Sequence, residues 1–199
     1  MMKIQAMDAL NEAVKILKND GVIIYPTDTL YGLGADATSL KAIRKIYKIK
    51  GRKFNKPLSI SVSSIEQAEK YVKFDERSLK IAKRFFPGPL TIILPQKKEM
   101  KFISKDGKIA IRIPDNSFIL NMIEKFGRPI TSTSANIAGK KDPVKLSDIP
   151  VEVKEKCDLI IDGGVCKYRK PSTVVDIKLK KIIREGVITK KQLKHAGVA

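Results

Sequence analysis

Residues 25–37 read YPTDTLYGLGADA, and the tail of that stretch, GLGADA, fits the glycine pattern G-x-G-x-x-A of a dinucleotide-binding turn. Such a turn needs its first glycine directly after a strand and a helix opening at its last position, so that a pyrophosphate meets the helix N-terminus. Here the extended run VIIY is separated from Gly32 by the six residues PTDTLY, and the next helical pattern opens only near Leu40. The acidic residue expected about twenty positions further on is missing, because that region reads KGRKFNK. No G-x-x-x-x-G-K-[ST] occurs either, so a P-loop is absent. What remains for Gly32 and Gly34 is a turn in which the backbone takes positive φ or approaches another group closely. Thr27, Asp28, Thr29 and Tyr31 surround that turn with hydrogen-bonding side chains, more than a bare connection requires.

Working outward, helical and extended patterns alternate along the whole chain without an internal repeat or a low-complexity linker. A helix fits 8–19, with Leu10, Ala13, Val14 and Leu17 on one face and Gly21 as its stop. Ser39 stands at the N-cap of LKAIRKIYKI, where Leu40, Ile43, Ile46 and Tyr47 form the buried stripe. PLSISV reads as a strand, a helix spans 76–86 before Pro87-Gly88-Pro89, and LTIIL and KIAIRIP read as further strands. A helix over SFILNMIEKF follows Asp115 or Asn116 and closes at Gly127. Late strands fit PITSTS, DLIID, STVVDI and KIIRE, with a short helix after Thr189. The expected fold is α/β: one domain over 1–199, with a twisted, mostly buried mixed sheet and helices packed on it.

With 40 Lys and Arg against 21 Asp and Glu, the 199-residue chain carries a formal charge of +19. That excess suits polyanionic partners such as RNA or a nucleotide triphosphate; surface lysines that serve solubility are the competing account, and charge alone does not choose. The N-terminus has acids and no continuous apolar core, and no run approaches the roughly 18 apolar residues of a membrane span. The expectation is therefore a cytoplasmic protein without a membrane partner. Cys157 and Cys166 lack CxxC spacing or a nearby histidine and read as reduced thiols. The one histidine, His195, lies near the C-terminus, a poor anchor for a triad, so histidine-based nucleophilic or metal chemistry is not expected.

Two segments carry the candidate chemistry. Residues 41–56 hold eight Lys or Arg and no acid. Most face outward on the helix, but Lys50 and Arg52 fall where it ends, around Gly51. Adjacent cations on a turn repel and call for an anion; Arg52 offers a planar fork and Lys50 a point charge. The segment TSTSANIAG supplies Thr131, Ser132, Thr133, Ser134 and Asn136 after a strand, where open α/β sheets commonly hold ligands. A nucleophilic serine is disfavoured, since G-x-S-x-G is absent and no histidine can activate it. PSTVVD and Arg184 in REG add a second Ser-Thr pair and another cation, each with a plain reading as a cap or surface residue.

Taken in order, YPTDTLYGLG, K-x-R-x-x-x-K-P, PGPLT, the RIP at Arg112, TSTSAN, PSTVVD and REG resemble the YrdC-like family of threonylcarbamoyl-AMP synthases, over about 8–186. The resemblance implies a basic concave pocket and a reaction of L-threonine, bicarbonate and ATP giving threonylcarbamoyl-AMP and pyrophosphate. It further implies Mg²⁺ with the ATP, a role in tRNA threonylcarbamoyladenosine modification, a companion threonylcarbamoyl-transfer enzyme, and affinity for tRNA or double-stranded RNA. By motif position, Lys50 and Arg52 resemble catalytic residues; Arg52, Lys56, Ser134, Asn136 and Arg184 resemble ATP contacts. Thr29, Ser61, Arg112, Ser132 and Ser172 resemble threonine-site residues, with Arg112 as the carboxylate clamp. No metal ligand is implied among the side chains. Ser61 stands where many members carry histidine, and SANIAG has Ala138 where SANxSG has serine. A non-catalytic RNA-binding module of the same fold is the alternative.

Overall fold

The computed structural model describes residues 6–54, 56–97, 99–100, 103–104 and 106–198. The first five residues, on which part of the reading against a leader peptide rests, lie outside the described residues. In chain order the elements are α1 (Ala6–Lys18), β1 (Ile23–Tyr25), β2 (Gly32–Gly34), α2 (Leu40–Lys50), β3 (Ser59–Ser61), α3 (Ile65–Ala68), α4 (Glu76–Phe85), β4 (Leu90–Pro95), β5 (Lys108–Arg112), α5 (Ser117–Phe126), β6 (Ile130–Ser134), α6 (Val151–Lys154), β7 (Leu159–Ile160), β8 (Thr173–Asp176), β9 (Lys181–Arg184) and α7 (Lys190–His195).

The nine strands form a sheet in the order β7-β1-β2-β6-β3-β5-β4-β8-β9. The pairs β1·β7, β3·β5 and β4·β8 are parallel and the others antiparallel, so the sheet is mixed. Strand periodicity sends alternate residues to opposite faces, and β1 shows the consequence. Ile23 and Tyr25 enter one apolar cluster, with Leu10 and Leu17 of α1 and Ile119 and Ile123 of α5. Val22 and Ile24 enter the other, with Ile43 and Ile46 of α2. Both faces are therefore covered, which is why VIIY reads as an unbroken apolar run. Among the described residues no helix is long and apolar enough to cross a membrane.

The glycines of GLGADA are not in a turn. Gly32 and Gly34 lie in β2, paired antiparallel with Tyr25 and Ile23 of β1, and neither has positive φ. The close-approach half of the expectation holds: a Cβ built on either glycine would stand 2.9 Å from the Tyr25 ring. Tyr25 is wholly buried and its ring lies across β2, with its hydroxyl donating to the Thr131 carbonyl oxygen at 3.2 Å. Sequence patterning hides this strand because glycine lacks β propensity. The one-turn helices α3 and α6 are likewise too short to leave a periodic signal.

Helix α2 has the bounds its caps dictate. The Ser39 hydroxyl accepts from the Ala42 N–H at 3.3 Å, and Gly51 closes the helix in the left-handed region at φ 56, where a Cβ would be strained. Its inward side chains are Ile43, Ile46, Tyr47 and Lys50, a 3.6-period stripe whose last member is a lysine. Asn116, rather than Asp115, caps α5, its side-chain oxygen accepting from Ile119 N–H at 3.2 Å.

Candidate active site

The chain reversal between β1 and β2 is built by Thr27. Its hydroxyl accepts from the N–H groups of Thr29 and Leu30 at 3.1 and 3.2 Å and donates to the Leu30 carbonyl oxygen at 2.7 Å. This side-chain turn holds Asp28 and Thr29 toward the end of β5. There the guanidinium of Arg112, itself buried, donates to an Asp28 carboxylate oxygen, to the Thr29 hydroxyl at 2.5 Å and to the Gly88 carbonyl oxygen at 3.2 Å. Three of five guanidinium N–H groups are thus engaged, leaving two. Burial pushes the Asp28 carboxyl up and the Arg112 guanidinium down, while each partner's charge opposes the other's shift. The second Asp28 oxygen is buried without a hydrogen-bond partner among the described residues.

On the other side, the stripe of α2 ends in Lys50, which is 2% exposed. Its ammonium donates to the carbonyl oxygens of Ser134 (2.5 Å) and Asn136 (2.9 Å) and to the Asn136 side-chain oxygen (3.0 Å). An ammonium has three protons, so Lys50 is saturated inside the chain. Burial and the neighbouring Arg52 charge push its pKa down to about 8, opposed by Asp142. The Asn136 side-chain oxygen also accepts from the Ser134 hydroxyl at 2.8 Å, and its amide nitrogen donates to the Lys140 carbonyl oxygen at 2.7 Å. Sequence reasoning assigned Lys50 to an anion and Asn136 to the nucleotide. In the structure the two are bonded to each other and frame the 134–142 segment at the wall of the cleft, because Lys50 lies on the buried face of the helix.

Arg52, past the Gly51 cap, does face the open side. One terminal nitrogen donates to the Pro57 carbonyl oxygen at 2.9 Å, and its Nε is buried with no partner among the described residues. A buried donor in that state carries a desolvation cost. Across the sheet, Arg184 of β9 donates twice to the Ser172 carbonyl oxygen at 3.0 and 3.2 Å and to the Ser172 hydroxyl at 3.3 Å, while Thr91 of β4 meets that hydroxyl at 2.9 Å.

These groups open onto one cleft of about 620 Å³, within the ordinary range for small-molecule sites. Seven of its lining side chains are Lys or Arg, and one, Asp142, is acidic. Lys50, Arg52, Lys56, Ser134, Asn136, Arg184, Thr29, Arg112, Ser132 and Ser172 all line it. Ser61 does not: it is wholly buried, and its hydroxyl lies beside the Tyr25 phenol without a hydrogen bond among the described residues. It sits behind the wall because its strand position points to the core face shared with Tyr25. Neither cysteine nor His195 lines the cleft. Both thiols are free, and burial pushes Cys157 up to about 12.

Thr91 and Asp142 are among the wall residues that the sequence reading did not single out, whereas Tyr31, named there with Thr27 and Thr29, lines the wall with its own anchor. Tyr31 donates to the Gly164 carbonyl oxygen at 2.8 Å and accepts from Gly163 N–H at 3.0 Å. Thr91 was visible in PGPLT, whose β4 alternation puts it opposite Ile92; Asp142 had no signal beyond its closeness to SANIAG.

A family model for Sua5, YciO and YrdC proteins, described as "Telomere recombination", matches residues 15–186. The chain belongs to the Sua5/YciO/YrdC family. A Methanocaldococcus jannaschii protein is 48% identical over 178 residues, spanning 87% of this chain and 84% of that one. The threonylcarbamoyl-AMP synthase of Pyrococcus abyssi is 37% identical over 168 residues, 83% of this chain but 49% of the relative. The crystal structure of Pyrococcus abyssi Sua5 complexed with L-threonine superposes with a TM-score of 0.85 at 32% identity, covering 98% of this chain and 58% of that one. The Sua5/YciO/YrdC chain described here therefore spans about half the length of the Pyrococcus abyssi relative. The mixed nine-stranded sheet is the fold of that family, as the ordered motifs implied.

Proposed function

We propose that the protein is an L-threonylcarbamoyladenylate synthase, joining L-threonine, bicarbonate and ATP into threonylcarbamoyl-AMP and pyrophosphate for tRNA threonylcarbamoyladenosine modification. The observation that carries the reading is the division of one cationic cleft into two ends. Arg112 with Thr29 forms a compact, pre-bonded end; Arg52 and Lys56, on the loop after α2, stand at an open, charge-rich one, and Arg184 lines the same cleft. A threonine carboxylate fits the two remaining guanidinium N–H groups of Arg112, and the triphosphate fits the open end.

The chemistry needs little else. The threonine amine attacks bicarbonate carbon and loses water, giving a carbamate; a carbamate oxygen then attacks the ATP α-phosphorus, and pyrophosphate leaves with the P–O bond electrons. Every reacting species is anionic, so positioning and fixed positive charge supply the catalysis. A wall with seven cations and no histidine or cysteine suits that demand. Arg52 lines the open end and spends one terminal N–H on the Pro57 carbonyl oxygen, so its other terminal N–H groups can meet charge on the phosphates.

Mg²⁺ is expected with the nucleotide. Among the described residues no group of three or more metal-ligating side chains exists, which fits an ion held mainly by phosphates with at most one carboxylate, as Mg²⁺ tolerates. Asp142 is the wall residue that could supply it. When bound, the ion would neutralise phosphate charge and favour pyrophosphate departure.

The test is pyrophosphate release by the purified protein with each substrate omitted in turn. Release that requires threonine, bicarbonate and ATP together is expected. Release indifferent to threonine overturns the substrate, and tight, salt-sensitive tRNA binding without any turnover would favour the RNA-binding module.

A further inference from the structure

The last turn of α2 points two polar side chains inward, and only Lys50 reaches the 134–136 segment. Tyr47, three residues earlier, serves the loop after the helix. Its phenol donates to the Lys56 carbonyl oxygen. Its ring packs on Phe54, with centroids 4.5 Å apart and planes inclined by 43°. Its own carbonyl oxygen accepts the backbone N–H of Arg52 at 3.0 Å. One residue thus touches the loop at Arg52, Phe54 and Lys56.

That arrangement matters because the loop resists order by itself. It carries Arg52, Lys53 and Lys56 with no acid beside them, and like charges on a short loop push it toward solvent. Tyr47 is 4% exposed and belongs to the main core cluster, so its ring is a fixed surface, not another mobile side chain. Burial pushes the phenol's pKa up, so it stays a donor, and the Arg52 charge nearby opposes that shift. Side chains that must be ordered at the moment of binding weaken it; order set beforehand does not.

We propose that Tyr47 is a positioning residue for the nucleotide, setting where Arg52 and Lys56 stand before ATP arrives; the inference rests on the ATP reading above. Tyr47 touches no reacting atom. It acts through the loop's backbone and through Phe54.

The test compares Tyr47→Phe, which keeps the ring and removes the hydroxyl, with Tyr47→Leu, which removes both, and with Phe54→Leu, which takes away the ring contact from the loop side and leaves the core intact. ATP affinity is measured by calorimetry without threonine, threonine affinity separately, and loop order by the rate of trypsin cleavage after Arg52 and Lys53. Expected are an about fivefold weaker ATP affinity for Tyr47→Phe, as loss of one hydrogen bond of about 1 kcal/mol implies, faster tryptic cleavage and unchanged threonine affinity. In an Arg52→Ala/Lys56→Ala background the Tyr47→Phe effect should vanish. Wild-type ATP affinity in Tyr47→Phe, or an undiminished loss in that background, overturns the proposal. A wild-type chain that binds ATP yet forms no pyrophosphate sinks the synthase reading alone, because the affinity comparison still reads Tyr47; a chain that binds no ATP overturns both.

Discussion

Lys50 and Asn136, 86 residues apart, are joined by two hydrogen bonds, the ammonium donating at 2.9 Å to the Asn136 carbonyl oxygen and at 3.0 Å to its side-chain oxygen. The end of α2 and the segment after β6 are thereby one unit. Two residues that the sequence presents in separate motifs are braced to each other inside the chain.

The brace has a measurable pH signature. Folding lowers the Lys50 pKa from 10.5 to about 8, so the unfolded chain binds the proton more tightly, and stability rises with pH across that window. The cost of burying the charge is fully present below pH 8 and is gone above 10.5. Urea unfolding of wild type at pH 7.5 and 9.5 should show a gain of about 2 kcal/mol that Lys50→Met lacks. Equal slopes for the two proteins would show that the buried ammonium is not held as described.

Gly34→Ala should destabilise the protein by about 1–3 kcal/mol, the usual penalty for adding a methyl group to a packed interior. The new Cβ would lie 2.9 Å from a Tyr25 ring carbon and 3.1 Å from Ile23 Cγ1, and the wholly buried ring has nowhere to move. Tyr25→Leu should be destabilising alone but should absorb much of the Gly34→Ala penalty, and a double-mutant cycle by denaturant unfolding measures that coupling. Strict additivity would mean that ring and glycine do not share the space.

The sequence made the longer helices, most strands and much of the cleft wall legible, because periodic apolar faces and caps such as Ser39 act locally. It concealed whatever depends on strands meeting across the sheet. The pairing of β2 with β1 and β6 turns Gly32 and Gly34 from turn residues into clearance for Tyr25. The partner of Arg112 lies 84 residues away in Asp28, a distance no motif spans. The internal partners of Lys50 were hidden for a different reason: the sequence sets it beside Arg52 at the helix end, whereas its helical phase, shared with Ile43, Ile46 and Tyr47, places it inside. Phase is the better guide at a helix's last turn, where a backbone segment can supply acceptors.

Asp28→Ala should cost about 3–5 kcal/mol, because it strands the Arg112 guanidinium as an uncompensated buried charge. Both side chains are nearly inaccessible, at 0% and 6% exposure. Asp28→Ala with Arg112→Met removes the pair together and should recover much of the loss, while threonine affinity remains abolished in the double variant. Unfolding midpoints and threonine calorimetry separate the two effects. A double variant that binds threonine normally would remove Arg112 from the carboxylate role.

Arg52→Ala tests the phosphate end. Its side chain makes one hydrogen bond within the chain, to the Pro57 carbonyl oxygen, and leaves Nε unpartnered among the described residues, so the fold should lose less than about 1 kcal/mol. Catalysis should lose far more: a preorganised cation facing charge that grows as pyrophosphate departs is worth roughly 4 kcal/mol, about a thousandfold in rate. Arg52→Lys should recover only part of it, since an ammonium cannot reproduce a planar fork. Pyrophosphate release at saturating ATP isolates the chemical step from the affinity change that loop disorder would bring. Near-normal turnover in Arg52→Ala would place the triphosphate elsewhere in the cleft, with the exposed Arg184 of β9 as another cation of its wall.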